Sequence, residues 1–366
     1  MRDASSRRLL ALPLHGEAKL RAEGMRTRDA HLLEWMARLR PGLEIELHSR
    51  AEPWPRVSLA RRRGGPLPAA FHCVSPEPLT LPPLRDRKRW WAISREHAAP
   101  YPTAGIDAVV SWNPFARLPA DAGEVPLLLD LLDDMLIHPE FASIHAEVEG
   151  SYRRWLGAAT LVTANSEATL ALARSFGRDD AVLVLNGCDP ERFSTEHRPG
   201  GEFTVGYGGK ISERLDVELI RECAAQLPAV RFEFVGQILS RRVKGAVAGL
   251  PNVEFVGDIA YPDYPATFHR WDVAWVPHRV GAGETGGDLL KLYEYSAAGL
   301  PTVSTRVGGW ERASAGVEVL DRERIAARLA QLAAGGPGSV PRHPHRIPAE
   351  QTWSHKAGQM LAMLGI

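Results

Sequence analysis

The stretch VGYGGKISER (residues 205–214) sets two cations, Lys210 and Arg214, four residues apart behind the glycines Gly206, Gly208 and Gly209. Glycines let a backbone approach a phosphate, and two cations can offset a diphosphate without a metal. Neither familiar nucleotide loop fits. G-x-G-x-x-G fails because Ile211 stands where the third glycine belongs, and Walker A fails because Lys210 is followed by Ile211 rather than Ser or Thr. The plain alternative is a turn carrying surface basic residues. A second stretch, GGDLLKLYEYSAAGLPTVST (286–305), puts Gly286, Gly287 and Asp288 at the mouth of a helical run carrying Lys291 and Glu294. With Asp288 as N-cap, the N–H groups of Leu289 and Leu290 stay free, and a helix mouth lacking side chains attracts an anion. Lys291 could meet a phosphate there, and Glu294 could accept from two sugar hydroxyls. Its alternative is an exposed i, i+3 charge ladder worth about a few tenths of a kcal/mol.

A third stretch, PLLLDLLDDMLIH (126–138), is a run of leucines that delivers Asp130, Asp133 and Asp134 to its end. A carboxylate there could steady an oxocarbenium-like transition state or orient an attacking hydroxyl. Asp130 as an N-cap and Asp134 as a solvated helix-start residue are the ordinary alternatives. Gly24, in AEGMRTRD ahead of a helix, is a candidate for the glycine of the first strand-to-helix loop.

These residues need a scaffold, and the hydrophobic pattern supplies one. In the second half, β-type runs fall at 204–207, 231–235, 253–256, 273–276, 302–305 and 317–320. Helical periodicity fills the gaps: Val217, Ile220, Ala224 and Leu227 share a face, as do Ile325, Leu329 and Leu332. The first half repeats the theme with runs at 9–14, 45–48, 71–74, 90–93, 108–112, 127–131, 161–164 and 182–185, and a helix stripe of Leu32, Trp35, Met36 and Leu39. Alternating strands and helices predict βαβ units around parallel sheets covered on both faces. The polar STEHRPGGE (194–202) reads as a linker, the Pro/Gly-rich 335–348 as irregular chain, and TWSHKAGQMLAML as a last amphipathic helix. The expected organisation is an N-terminal domain over 1–195, a C-terminal one over 203–336 and a final helix over 350–366. Two doubly wound α/β domains facing a cleft is the predicted fold class.

Composition narrows the function. The chain has 366 residues, 45% hydrophobic and 24% charged, with a formal net charge of +0. No global field therefore argues for nucleic acid or a membrane. RDRKRWW (85–91) and ARRRGG (60–65) are basic patches of the kind that touch either partner, but in a neutral chain they read as solvated loops. Only weak membrane-surface contact remains as an expectation. Cys73, Cys188 and Cys223 are far apart, and the thirteen histidines show no H-x-x-x-H spacing, so neither a metal nor another cofactor is expected. The N-terminal apolar core, Leu9 to Leu14, is shorter than a secretory h-region, and no run approaches about 20 apolar residues. A cytoplasmic protein is expected.

The same stretches resemble a known family. VGYGGKISERLD, FEFVG, LPNVEFVGDIAYPDYPATFHRWDVAWVPHR and KLYEYSAAGLPTVST are similar to the donor half of the GT-B glycosyltransferases, specifically the retaining GT4 group. LVTANSEATLALA and VLNGCDPERF resemble that family's approach to the domain crossover, and the terminal helix resembles the one that packs back on the N-terminal domain. The likeness runs from about Asp130 to the end, and KLYEYSAAGLP is its most specific piece.

The resemblance implies that Lys210 and Arg214 hold the donor diphosphate, that Glu294 is the second acid of E-x7-E and binds the nucleotide ribose, and that Ile259 and Tyr261 lie beside the base. It places Asp133 near where many relatives carry a histidine facing the donor sugar. The first acid of E-x7-E is absent, since Gly286 stands there, with Glu284 and Asp288 as the nearest substitutes. The implied activity is metal-free, retaining transfer from a nucleotide-diphosphate sugar, UDP-linked before GDP-linked, to a small-molecule or envelope-glycan hydroxyl. Catalysis would fall to Asp133, Lys210 and Arg214, with Gly24 and Asp130 on the acceptor side. The missing acid leaves two alternatives: a GT-B-type epimerase or coupling enzyme, and a non-catalytic sugar-nucleotide-binding subunit.

Overall fold

The computed structural model describes residues 7–52, 54, 64–76, 89–102, 104–120, 123–281, 288–307, 316–343 and 346–366. The chain divides into two compact units, 1–186 with 353–366, and 187–352. The polar stretch 194–202 lies within the second unit.

The first unit is built on a parallel sheet in the order β3-β2-β1-β4-β5-β6-β7. Its strands are β1 (Arg7–Leu12), β2 (Leu43–His48), β3 (Phe71–Val74), β4 (Ala108–Ser111), β5 (Leu127–Leu131), β6 (Leu161–Ala164) and β7 (Val182–Leu183). β4 and β5 are buried along their whole length, which is why they read as unbroken apolar runs. The first strand ends at Leu12 rather than Leu14, because Pro13 has no N–H to continue the ladder. The helices are α1 (Glu17–Glu23), α2 (Arg28–Leu39), α3 (Arg89–Ser94), α4 (His145–Ala158) and α5 (Glu167–Ser175). The run at 90–93, expected as a strand, is part of α3. Trp90, Trp91 and Ser94 are its buried residues, a helical spacing, and Trp91 packs edge-on against Phe141, 5.7 Å between ring centres. A short apolar run does not distinguish the two states by itself. α5 starts on a capping box in which the Ser166 hydroxyl accepts from the Thr169 N–H.

The second unit has a parallel sheet in the order β10-β9-β8-β11-β12-β13. The strands are β8 (Phe203–Gly208), β9 (Val230–Val235), β10 (Val253–Gly257), β11 (Val273–Val276), β12 (Thr302–Thr305) and β13 (Val317–Leu320). The helices are α6 (Val217–Gln226), α7 (Arg241–Val247), α8 (Leu290–Ala297) and α9 (Arg322–Ala333). Asp216 caps α6 by accepting from the Leu219 N–H at 3.0 Å. The core on one face joins Val205, Tyr207, Phe232, Phe234 and Trp275 to Leu219, Ile220 and Leu329. The described part of 335–348 has no regular structure but is tied down: Asp272 accepts from the Gly338 N–H at 2.6 Å, and Gly299 O from the His343 N–H at 3.1 Å. Helix α10 (Trp353–Leu364) then returns to the first unit, where Trp353 stacks on His31 at 5.0 Å. No described helix is long and apolar enough to cross a membrane.

In the second sheet the chain builds outward from β8 through β9 to β10, then returns to start β11 on β8's other side. The strand order therefore reverses between β8 and β11. In open α/β sheets, ligands bind beyond the carboxyl ends of the two strands flanking such a reversal. The loop carrying Lys210 and Arg214 follows β8, and the segment leading to Lys291 follows β11. The two stretches singled out by residue chemistry are thus the two that topology brings together.

Candidate functional site

The glycines do not serve the role expected of them. A Cβ on Gly206 would fall 1.9 Å from the Trp271 ring, and one on Gly208 would fall 1.8 Å from the Tyr264 hydroxyl. Both positions are bare so that aromatic rings can pass beneath the strand. The backbone N–H groups are also committed: Gly208 donates to the Tyr295 hydroxyl at 2.8 Å and Gly209 to Val235 O at 2.8 Å. Gly209 holds φ +144, and a Cβ there would meet Lys291 Cε at 3.0 Å. Gly236, also at φ +144, admits no Cβ because Gly209 O would be 2.0 Å away. The Gly208 and Gly209 amides are therefore spent within the fold, and the exposed group beside them is the Lys210 side chain.

Three cations converge on this loop. Lys210 is exposed, with its carbonyl accepting from the Tyr207 hydroxyl at 3.2 Å, and Arg214 is half-buried. Lys291 lies with Nζ 3.4 Å from the Tyr207 hydroxyl and 4.8 Å from its ring centre. Burial pushes the Lys291 ammonium down to about 7, and Arg214 and Lys210 push the same way while Glu294 opposes them. The His278 ring, 3.2 Å from the Tyr207 hydroxyl, is held well below its ordinary value by burial and by Lys291 and Arg214. The surroundings are short of negative charge, and a bound dianion would supply it.

The helix mouth also differs from expectation. Leu289, not Asp288, is the N-cap of α8, and its side chain makes no cap hydrogen bond. Asp288 instead accepts from the Tyr293 hydroxyl at 2.9 and 2.8 Å, so its carboxylate faces its own helix. Leu289 and Leu290 are half-buried at the helix start. Glu284, Gly286 and Gly287 lie outside the described residues.

Glu294 is 6% exposed and its Oε1 accepts from the Tyr261 hydroxyl at 2.9 Å. Burial pushes the carboxyl up to about 7, with the Tyr261 hydrogen bond and the Lys291 charge opposing. Tyr261 is itself buried, its ring stacked with Tyr264 at 6.1 Å, and Ile259 packs half-buried against the same cluster. The Tyr261 ring is therefore no open platform for a base.

These shifts carry a stability cost with a definite sign. A carboxyl raised from 4.5 to about 7 supports the fold below pH 4.5 and loses that support as the pH rises through 7. An ammonium lowered from 10.5 to about 7 supports the fold above pH 10.5 and loses that support as the pH falls through 7. Stability of the ligand-free protein should dip near neutral pH. Glu294→Gln keeps an acceptor for Tyr261 and removes the ionisable acid. It should leave the melting temperature unchanged at pH 4.5 and raise it at pH 7.5, with a gain in stability of up to about 3 kcal/mol, the cost of ionising a carboxyl moved from 4.5 to about 7. A lower melting temperature at pH 7.5 would contradict this assignment of the cost.

In the first unit, Asp130 is an interior carboxylate rather than an acceptor contact. It is 1% exposed and accepts from Arg28 at 2.7 and 3.1 Å, Trp112 Nε1 at 2.6 Å and Thr163 Oγ1 at 2.7 Å. Gly24 is the left-handed C-cap of α1, at φ 70, and not part of the first strand-to-helix loop. That loop is 13–16, and its glycine is Gly16, where a Cβ would come within 3.2 Å of Ser49 Cβ. Asp133 is half-buried just beyond β5, its carbonyl accepting from the Tyr152 hydroxyl at 2.8 Å, and the Asp134 carboxylate accepts from the Leu136 N–H at 2.9 Å. Reading the sequence also missed Tyr207, His278 and Tyr295, whose types alone gave no sign that they meet around the glycine loop. Among the described residues no cluster of three or more His, Cys, Asp or Glu is placed to hold a metal.

Residues 203–334 match the model of the family described as glycosyl transferases group 1. A putative teichuronic acid biosynthesis glycosyltransferase of Bacillus subtilis is 30% identical over 144 residues, and that match spans 36% of each chain, about a third of the relative's length. The sucrose-phosphate synthase of Thermosynechococcus elongatus superposes with a TM-score of 0.68 at 16% identity, over 98% of this chain and 94% of its own. An Anabaena protein solved with UDP and glucose superposes with a TM-score of 0.56 at 17% identity, over 98% and 95%. At such identities the structural matches establish the fold. The matched residues 203–334 are the segment that positions Lys210, Arg214, Lys291 and Glu294, and the chain has the GT-B fold of two Rossmann-like domains.

Proposed function

We propose that the protein is a retaining glycosyltransferase that takes its sugar from a nucleotide-diphosphate donor, UDP-linked before GDP-linked, without a metal. The observation that carries this reading is the convergence of Lys210, Arg214 and Lys291 at the β8/β11 reversal, one helical turn from the buried carboxylate Glu294. The cations suit a diphosphate, and Glu294 suits the vicinal hydroxyls of a ribose. The likeness to the Anabaena protein solved with UDP and glucose favours a uridine donor.

In this reading the anomeric carbon–oxygen bond breaks and its electron pair passes to the diphosphate, where the three cations receive the developing charge. The acceptor hydroxyl attacks from the face the diphosphate leaves, and its proton passes to the departing oxygen. Binding and charge stabilisation carry the rate, so no protein nucleophile is required. Asp133 is the first unit's candidate for orienting the acceptor hydroxyl, and the acceptor is a hydroxyl of a small molecule or an envelope glycan.

The test is to incubate the protein with UDP-glucose, UDP-N-acetylglucosamine and GDP-mannose, with and without EDTA, and to follow the anomeric proton of the product. Slow release of free sugar as the donor's own anomer, unaffected by EDTA, is expected even without an acceptor. Nucleotide binding with no turnover, in water or with any hydroxyl acceptor, would instead favour a non-catalytic binding subunit.

A further inference from the structure

Glu294 is an awkward group to leave in an empty site, because burial disfavours its charge while ribose binding needs an ionised acceptor. The structure holds a specific remedy. The Tyr261 hydroxyl donates to Oε1 at 2.9 Å from thirty-three residues earlier in the chain. Among the described residues it is the only hydrogen-bond donor recorded on that carboxylate. Tyr261 is 3% exposed and held on several sides: its ring stacks with Tyr264 at 6.1 Å, and the Arg192 guanidinium lies 5.8 Å from the ring centre. Its hydroxyl is therefore fixed before any ligand arrives.

We propose that Tyr261 is a positioning residue for donor binding: its hydroxyl holds one oxygen of Glu294 in place, leaving the second oxygen to accept from the ribose. The inference deepens the reading of Glu294 as the ribose acceptor and rests on it. The charged and titratable groups around Glu294 are Lys291 and Tyr295 on its own helix, Tyr261 and Tyr264 on the segment after β10, and Cys188 on the segment entering the unit. Of the hydrogen-bonding and charge effects on the carboxyl, the Tyr261 bond is the largest that favours ionisation, followed by Lys291. Tyr261 thus acts on the nucleotide through Glu294 rather than by stacking on a base.

Tyr261→Phe keeps the ring and its packing and removes only the hydroxyl. UDP binding is measured by calorimetry between pH 5.5 and 9 for the wild type, Tyr261→Phe, Glu294→Gln and the double variant, with a melting curve for each. At pH 7 the dissociation constant of Tyr261→Phe should rise about tenfold. The pH below which binding weakens should move up by about one unit, because the carboxyl becomes harder to ionise. With a donor sugar, KM should rise while kcat changes less than about threefold. In the Glu294→Gln background, adding Tyr261→Phe should move no pH midpoint, since the carboxyl that titrates is gone. An unchanged pH midpoint in Tyr261→Phe, with wild-type binding still dependent on Glu294, would overturn this inference alone. Absence of wild-type binding, or binding indifferent to Glu294→Gln, would overturn the ribose assignment and this inference with it.

Discussion

Lys210→Ala is expected to lower turnover by about 10²–10³-fold, the usual cost of removing one group that meets charge developing in a transition state. Lys210 is the exposed member of the cation trio, so its removal should leave the fold untouched. Its backbone carbonyl, which accepts from the Tyr207 hydroxyl, remains in place, as does the Ile211 N–H bond to Gln237 O at 2.9 Å that anchors the loop. The melting temperature should therefore stay within about 0.5 kcal/mol of wild type, as for a surface substitution. Binding of the free nucleotide should weaken far less than turnover falls, because Arg214 and Lys291 still face the ground-state diphosphate. Lys210→Arg should recover part of the loss. A kcat equal to wild type in Lys210→Ala would sink the assignment of this lysine to the leaving group.

The largest effect on stability is expected in the first unit, at Arg28→Leu. Arg28 is 4% exposed and holds Asp130 through two bonds, at 2.7 and 3.1 Å. It also donates to Val184 O at 2.6 Å, Leu185 O at 3.0 Å and Asn186 Oδ1 at 3.0 Å. One side chain thereby joins α2 to β5 and to the segment after β7. Its loss leaves a buried carboxylate without its cation and takes one donor from each of three further acceptors, a change that costs about 3–5 kcal/mol. The corresponding fall in melting temperature is about 10 °C for a unit of this size. Adding Asp130→Leu to Arg28→Leu should restore much of the loss, because the pair is then replaced by apolar side chains instead of being broken. A thermal melt of the two variants decides it: a loss below about 1 kcal/mol in Arg28→Leu would show that the pair does not hold the unit together.

Much of the fold was legible because its central strands, β5, β11 and β12 among them, are buried along their whole length. The runs at 127–131, 161–164, 273–276, 302–305 and 317–320 form strands with those bounds, each a mainly apolar or β-branched stretch set off by polar residues, glycine or proline. What periodicity could not separate was Trp90–Ile93, four residues with no polar alternation, which the aromatic contacts of Trp91 settle as helix. The candidate site stood out in its charges, while its glycines have a second reason that the local sequence hides. Lys210, Arg214, Lys291 and Glu294 stand out because ionisable residues beside strand ends need a reason. The glycines stand out equally, but their reason lies across the fold, in Trp271 against Gly206 and Tyr264 against Gly208. Local sequence could not show that Asp288 turns back to Tyr293, or that Tyr261 reaches Glu294 from thirty-three residues away. Asp130 was visible as an acid at a strand end, yet its partner Arg28 is 102 residues distant, and only that pairing makes it structural.

The most direct test of the account is the thermal shift produced by UDP, GDP and dTDP, with and without EDTA, in the wild type and in Glu294→Ala. A nucleotide that binds only the folded protein raises its stability by about 2.7 kcal/mol at one hundred times its dissociation constant. The expected result is a clear upward shift with UDP, unchanged by EDTA and lost in Glu294→Ala. No shift with any of the three, or a shift that survives Glu294→Ala intact, would contradict it.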